Sequence, residues 1–139
     1  RLLIQVLQNK FSGRYAMSGI LHDEKEGDHN ISMNRRLYML DPQSCHFYAG
    51  NIEEDNINKA DYIIKMSLNN NKTISLSSLN VNINFTADAS ASLPKKTNVY
   101  EIMADGSYKV YLSYKYDDIS VKGHPTTYTF RGELTFDMK

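Results

Sequence analysis

The chain has 139 residues, 41% of them hydrophobic and 23% charged, with 16 basic against 16 acidic side chains and a formal net charge of +0. That is the length of one domain, and the charge balance lacks the basic excess on which phosphate contacts depend, so no nucleic-acid partner is expected. The single cysteine, Cys45, excludes an intramolecular disulfide and any multi-cysteine zinc site, and no apolar run approaches the ~18 residues of a membrane-spanning helix.

Residues 1–10 read as the end of a linker or of a preceding domain, and residues 11–139 as the domain itself. Leu2-Leu3-Ile4 looks like a strand entered from upstream, and the chain opens at Arg1, so the expectation is a piece of a longer protein from which export signals could have been removed. From Phe11 to Leu21 one strand face would carry Phe11, Gly13, Tyr15, Met17, Gly19 and Leu21. Two glycines on that face indicate a bend or a close backbone approach, as where a sheet curls into a barrel. The stretch from His22 to His29 gathers four carboxylates and two imidazoles. It lacks the offsets of a calcium loop, and a turn gives no reason for zinc ligands to converge, so it reads as a solvated hairpin connection with Gly27 supplying the turn.

Ile31 to Leu40 is the returning strand, its apolar alternation interrupted by Arg35 and Arg36. Asp41-Pro42-Gln43-Ser44 is a turn. Cys45 to Ala49 is a short strand in which Cys45 is expected to be buried and inert. Asn51 to Ala60 is polar, either loop or one helical turn. Tyr62, Ile64, Met66 and Leu68 alternate with Ile63, Lys65 and Ser67, and Asn69-Asn70-Asn71 marks a hairpin turn because Asn tolerates positive φ. Ile74 and Leu76 follow on a strand, and Val81, Ile83 and Phe85 alternate as if on another. Ala87 to Lys96 is the longest expected loop, Val99 to Ile102 a short strand, and Ala104-Asp105-Gly106 a turn.

The last two strands carry the clearest pattern. Tyr108, Val110, Leu112, Tyr114 and Tyr116 share one face, and Tyr128, Phe130, Leu134 and Phe136 share another across a loop at Gly123-His124-Pro125. Side chains in a strand alternate between faces, so each of these strands is apolar on one side and wet on the other. Eight or nine strands joined by short turns imply an all-β fold, an antiparallel up-and-down β-barrel of about eight strands, because closure removes exposed edges.

No catalytic constellation emerges: there is no nucleophile elbow, no phosphate-binding glycine loop, and no pair of carboxylates that stands out as a glycosidase pair. Arg131 and Glu133, two apart on one strand, read as a surface charge pair. No cofactor and no metal site is expected. What remains is aromatic surface: Tyr111 is out of phase with the apolar face of its strand, and Tyr100 and Tyr116 lie beside turns. With His124 in the last loop, these are the candidate ligand-binding residues, able to stack on a sugar ring or dock a protein partner.

Asn98-Val99-Tyr100, the turn Asp105-Gly106, the run Tyr108-Lys109-Val110-Tyr111-Leu112-Ser113-Tyr114-Lys115-Tyr116 and the strand Thr129-Phe130-Arg131-Gly132-Glu133-Leu134 resemble the C-terminal lipocalin-like (calycin-like) β-barrel domain of Bacteroidetes exported lipoproteins associated with glycan-utilisation loci. Phe11-Ser12-Gly13-Arg14-Tyr15 followed by Ser18-Gly19 looks like that family's opening strand. The chain departs from the pattern where Glu101-Ile102 replaces an Asp-Pro after Tyr100, and in the close spacing of Arg131 and Glu133. The resemblance implies a non-catalytic accessory or binding domain of an exported lipoprotein, in the periplasm or on the outer-membrane surface, that supports glycan recognition or uptake. It implies an adjacent β-sandwich domain in the same chain and a lipid anchor outside this fragment, and it transfers no catalytic residue. The alternative is a lipocalin-type carrier holding a small apolar ligand inside the barrel, which needs a roomy interior. The bulky inward residues Phe11, Tyr15, Tyr108, Tyr114, Phe130 and Phe136 point instead to a filled one.

Overall fold

The computed structural model describes residues 11–87 and 97–138. The expected strand entry at Leu2-Leu3-Ile4, the boundary at residue 10 and most of the loop at 87–96 lie outside these residues. The strands are β1 (Gly13–Asp23), β2 (Gly27–Asp41), β3 (Ser44–Tyr48), β4 (Ile63–Leu68), β5 (Ile74–Ser78), β6 (Thr86–Ala87), β7 (Val99–Ile102), β8 (Tyr108–Asp118) and β9 (Thr126–Met138). Their order in the sheet is β5-β4-β3-β2-β1-β9-β8-β6, with β7 also on β8, and every pairing is antiparallel. The ends of this meander meet: Thr73 bridges Val99, Ile74 N donates to Asn98 O at 2.9 Å, and Tyr100 N donates to Lys72 O at 2.9 Å. The fold is therefore an up-and-down β-barrel, nearly closed at the junction of β5 and β7.

The period-2 pattern sorts residues as the sequence predicts. Along β1, Tyr15, Met17 and Leu21 are buried while Ala16, Ser18 and Ile20 are exposed. Along β8, Val110, Leu112, Tyr114 and Tyr116 are buried. Gly19 of β1 lies opposite Gly132 of β9, and a Cβ on Gly19 would stand 2.4 Å from the Arg131 carbonyl oxygen, so the expected close approach occurs here. Gly27 closes the β1–β2 hairpin at φ 95°.

The interior is filled by aromatic rings. Tyr114 packs against Phe130 at 5.4 Å, Phe85 at 5.5 Å, and Phe47 and Tyr116 at 6.1 Å each. Each such ring contributes about 1.5–3 kcal/mol by leaving water, provided its hydroxyl is satisfied. Tyr15 donates to Phe11 O at 2.7 Å, and the Tyr114 hydroxyl accepts from Gly50 N at 2.7 Å. The segment 49–62, largely polar and ending in a 3-10 turn at Lys59–Tyr62, packs onto the barrel core through the buried Ala49, Ile52 and Tyr62. It is tied down where Tyr62 donates to Asp118 and accepts from Ile119 N, both at 3.1 Å.

Three local expectations need correcting. Val81, Ile83 and Phe85 do not form a strand: Val81–Ile83 is a 3-10 turn, because Asn80 Oδ1 accepts from Asn82 N at 3.0 Å and Asn84 adopts φ 50°. Val81 is accordingly exposed. In the β4–β5 turn the positive φ falls on Lys72 (73°) and not on an asparagine; Asn71 instead uses its side chain to hold Thr73. Finally, Glu133 pairs with Lys109 across the β8–β9 ladder at 3.6 Å rather than with Arg131 on its own strand.

Candidate functional site

Arg35 shares the inward parity of Met33 and Leu37, and its side chain is fully buried. A guanidinium cannot lose its charge there, so its partners must come to it. Segment 49–62 supplies them: Nη1 donates to Glu54 Oε2 at 2.8 Å and Nη2 to the Gly50 carbonyl at 2.7 Å. Gly50 itself is dictated by space, since a Cβ would stand 2.3 Å from the Tyr116 hydroxyl.

Glu54 links this buried anchor to the outer wall, where its other carboxylate oxygen accepts a short hydrogen bond from Tyr38. Tyr38 of β2 stands opposite His46 of β3, and the β3 alternation that turns Cys45 and Phe47 inward turns His46 and Tyr48 outward. The result is an aromatic trio. The Tyr38 and His46 rings stack at 5.1 Å and 19°, and Tyr48 meets them edge-on at 6.1 and 6.3 Å. Lys59 Nζ lies 5.4 Å from the Tyr48 ring centroid and donates to the Glu54 carbonyl at 2.6 Å. All three rings are half-buried. Desolvation, then the bond to Glu54, pushes the Tyr38 phenol up to about 12, and desolvation lowers the His46 pKa, so both rings are neutral at pH 7.

The result is a neutral aromatic face with a carboxylate and an ammonium group at its edge, a surface on which a flat or C–H-rich ligand could stack. Tyr38 donates to the Glu54 carboxylate, but its phenol is pushed up to about 12, so this pair does not make an activated nucleophile.

The sequence-predicted residues do not converge. Tyr100 and Tyr116 were expected at the surface, yet they are 8% and 1% exposed. Tyr100 donates to Asn69 O at 2.6 Å and packs on Tyr108, while Tyr116 stacks on Tyr128 at 5.7 Å inside the barrel. Tyr111 is half-buried on the outer face of β8, bonded to Glu101 at 3.0 Å, with Lys109 Nζ 5.5 Å from its ring centroid. His124 is exposed in the β8–β9 loop. Reasoning on aromatics one at a time missed the trio, although a signal was present: the turn at Asp41–Ser44 folds Tyr38 back onto His46, and Tyr48 follows two positions later.

At the β1–β2 hairpin, donor atoms of Asp23, Glu26 and His29 lie within 4.8 Å of one another, a convergence not expected of a turn. Asp23 Oδ1 is already held by the amides of Lys25 and Glu26, and the Glu26 side chain is 73% exposed, so the group serves as a hairpin brace. A shallow depression of about 250 Å³ lies on the outer wall beside it, lined by Ile20, His22, Asp28, Thr129 and Arg131.

Comparison with known proteins gives three findings. A family model described as "-like, C-terminal" matches residues 1–135. No curated protein matches the chain. Among solved structures, similar folds occur in an auxiliary nutrient binding protein from Bacteroides thetaiotaomicron (21% identity, TM-score 0.66), a multidomain protein including DUF1735 from Bacteroides ovatus (19%, 0.69) and a protein of unknown function from Bacteroides ovatus (20%, 0.67). Each match covers 93% of this chain but 46%, 57% and 47% of those chains respectively, so the chain spans about half their length. At these identities the likeness shows the fold.

Proposed function

This chain belongs to that family of C-terminal domains, and from that premise we propose that it is a non-catalytic accessory domain of an exported, surface-located bacterial protein, where it supports glycan capture. The carrying observation is the Tyr38–His46–Tyr48 trio, an ordered aromatic face on the outer wall of a barrel whose interior is occupied by its own side chains. A nutrient-binding role borne by one structural neighbour, and the multidomain build of another, support the same reading. So does the resemblance to domains of exported lipoproteins, with an adjacent domain upstream and a lipid anchor beyond this fragment. No helix among the described residues is long and apolar enough to cross a membrane. A lipocalin-type carrier role finds no support in the packed interior, where Tyr114, Tyr116, Phe47 and Phe130 occupy the space a ligand would need.

A glycan-array screen of the chain tests the proposal. Binding is expected to fall at least tenfold in Tyr48→Ala and in His46→Ala, which remove the platform without touching the Arg35 anchor. Tyr111→Ala and His124→Ala, at the other accessible candidate positions, belong in the same screen as secondary contacts. Silence across neutral and acidic glycans, or binding indifferent to all four substitutions, overturns the proposal.

A further inference from the structure

β2 is 15 residues long, and its neighbour β3 only 5. β1 covers one edge of β2 from Gly27 to Leu37, whereas β3 reaches the other edge only at Tyr38, Met39 and Asp41. Among the described residues, no backbone group pairs with that outer edge from Gly27 to Leu37. Such an edge presents a row of unpaired N–H and C=O groups, and proteins that keep one unpartnered blunt it with proline, charged side chains, an inward-pointing charge, a bulge or a covering loop. From Asp28 to Arg36 there is no proline and no lysine, the β1–β2 register runs without a shift, and the one inward-pointing charge, Arg35, is engaged within the chain by Glu54 and the Gly50 carbonyl.

We propose that this edge pairs antiparallel with the same edge of a second copy, about a two-fold axis through Ser32. A symmetric antiparallel pairing centred there brings together residues whose numbers sum to twice 32. Asp28 then faces Arg36 of the other copy at both ends of the ladder, and Asn30 faces Asn34. All of these side chains are exposed on the outer wall. On the inner face Ile31 meets Met33, both half-buried apolar residues packed against the core. His29 falls opposite Arg35, whose charge is already directed to Glu54. Among two-fold registers confined to residues 28–36, this one sets opposite charges face to face, and directly opposed pairs of that kind stabilise a ladder. Asp28 retains an oxygen for the pairing, since only its Oδ1 is engaged by His22 Nδ1, at 2.6 Å. The inference is independent of glycan binding.

Sedimentation velocity from micromolar to millimolar chain concentration is expected to show a monomer–dimer equilibrium. Arg36→Asp and Asp28→Arg each place like charges at both ends of the ladder and should raise the dimer dissociation constant at least tenfold. Mixing the two variants in equal amounts restores complementarity and should restore the dimer. The register is tested separately by Ser32→Cys. Opposed residues in an antiparallel pair have Cα atoms about 4.5–5.5 Å apart, within disulfide reach. Mild oxidation should therefore cross-link this variant. Asn30→Cys should dimerise without cross-linking, because the matching cysteine lies four positions along the strand, about 13 Å away. The native Cys45 is buried and silent.

A wild-type chain that stays monomeric at millimolar concentration and a Ser32→Cys variant that fails to cross-link overturn the proposal. So do charge variants that dimerise like the wild type, which would locate the interface elsewhere. Protection of the β2 amides by an added strand-forming peptide, with the chain still monomeric, would assign the edge to a peptide partner and overturn the pairing of copies.

Discussion

Replacing Gly19 by alanine tests how tightly β1 and β9 are drawn together. A Cβ at Gly19 would lie 2.4 Å from the Arg131 carbonyl oxygen and 2.6 Å from Gly132 Cα, where ordinary contact begins near 3.4 Å. Both atoms are backbone, so no rotamer change relieves the clash, and the strands must part by about 1 Å. That stretches the flanking ladder bonds beyond the ~3.2 Å limit of a good N–H···O bond. Weakening two of them costs about 1–3 kcal/mol, and the strain of an overfilled contact adds about 1–3 kcal/mol. A total of about 2–6 kcal/mol corresponds to a Tm lower by roughly 6–24 °C for a domain of this size. Thermal unfolding followed by far-UV circular dichroism, with urea unfolding for the free energy, measures it. Gly27→Ala is the matched control: its Cβ would meet nothing within 4 Å, and the φ of +95° leaves only the left-handed penalty, about 1–2 kcal/mol. The reasoning is refuted if Gly19→Ala lowers Tm no more than Gly27→Ala does.

Other predictions follow from the buried polar groups. Burial, as the leading cause, raises the phenols of Tyr38, Tyr62 and Tyr114 from 10.0 to about 12. The folded chain thus holds protons that the unfolded chain releases, so the stabilisation is complete below pH 10 and is lost between pH 10 and 12. A flat Tm across that window would contradict it. The His46 pKa is lowered by desolvation, so protonation favours the unfolded chain and stability should fall as pH drops through about 6.5; His46→Gln should remove that component of the Tm–pH curve. Arg35→Met should cost about 2–4 kcal/mol, because the Gly50 carbonyl and the Glu54 carboxylate lose their shared partner. Limited proteolysis should then cut within 49–62 first, and an unchanged cleavage pattern would count against the anchor. Cys45 is fully buried and its thiol is pushed well above the usual range, so native protein should resist Ellman's reagent until unfolded. Complete labelling under native conditions within minutes would overturn that placement.

Much of the barrel was legible in the chain because the pleat is a local property. Alternation placed Tyr15, Met17 and Leu21 inside on β1 and Val110, Leu112, Tyr114 and Tyr116 inside on β8. It failed at Val81, Ile83 and Phe85, where the same alternation lies over a 3-10 turn that the Asn80 side chain initiates. Period-2 spacing records only which residues share a face if a strand forms, and a single side-chain bond to the backbone can offer the chain another course. Tyr100 and Tyr116 were misplaced for a related reason. Proximity to a turn implies exposure only when nothing covers that end of the barrel, and Asn69 and Tyr128 lie over them.

Most of the strands and the close approach at Gly19 could be read from the chain, which also favoured a filled interior, since these follow from residue size and a two-residue period. Tertiary structure alone decided that Arg35 could sit in the interior, because its carboxylate partner arrives from 19 positions away on a covering loop. It likewise decided that Tyr38, His46 and Tyr48 form one face, and that β2 outruns β3 and leaves an edge unpaired. Each of those depends on which strand lies beside which and where the shorter one stops. No spacing within a single strand carries that information.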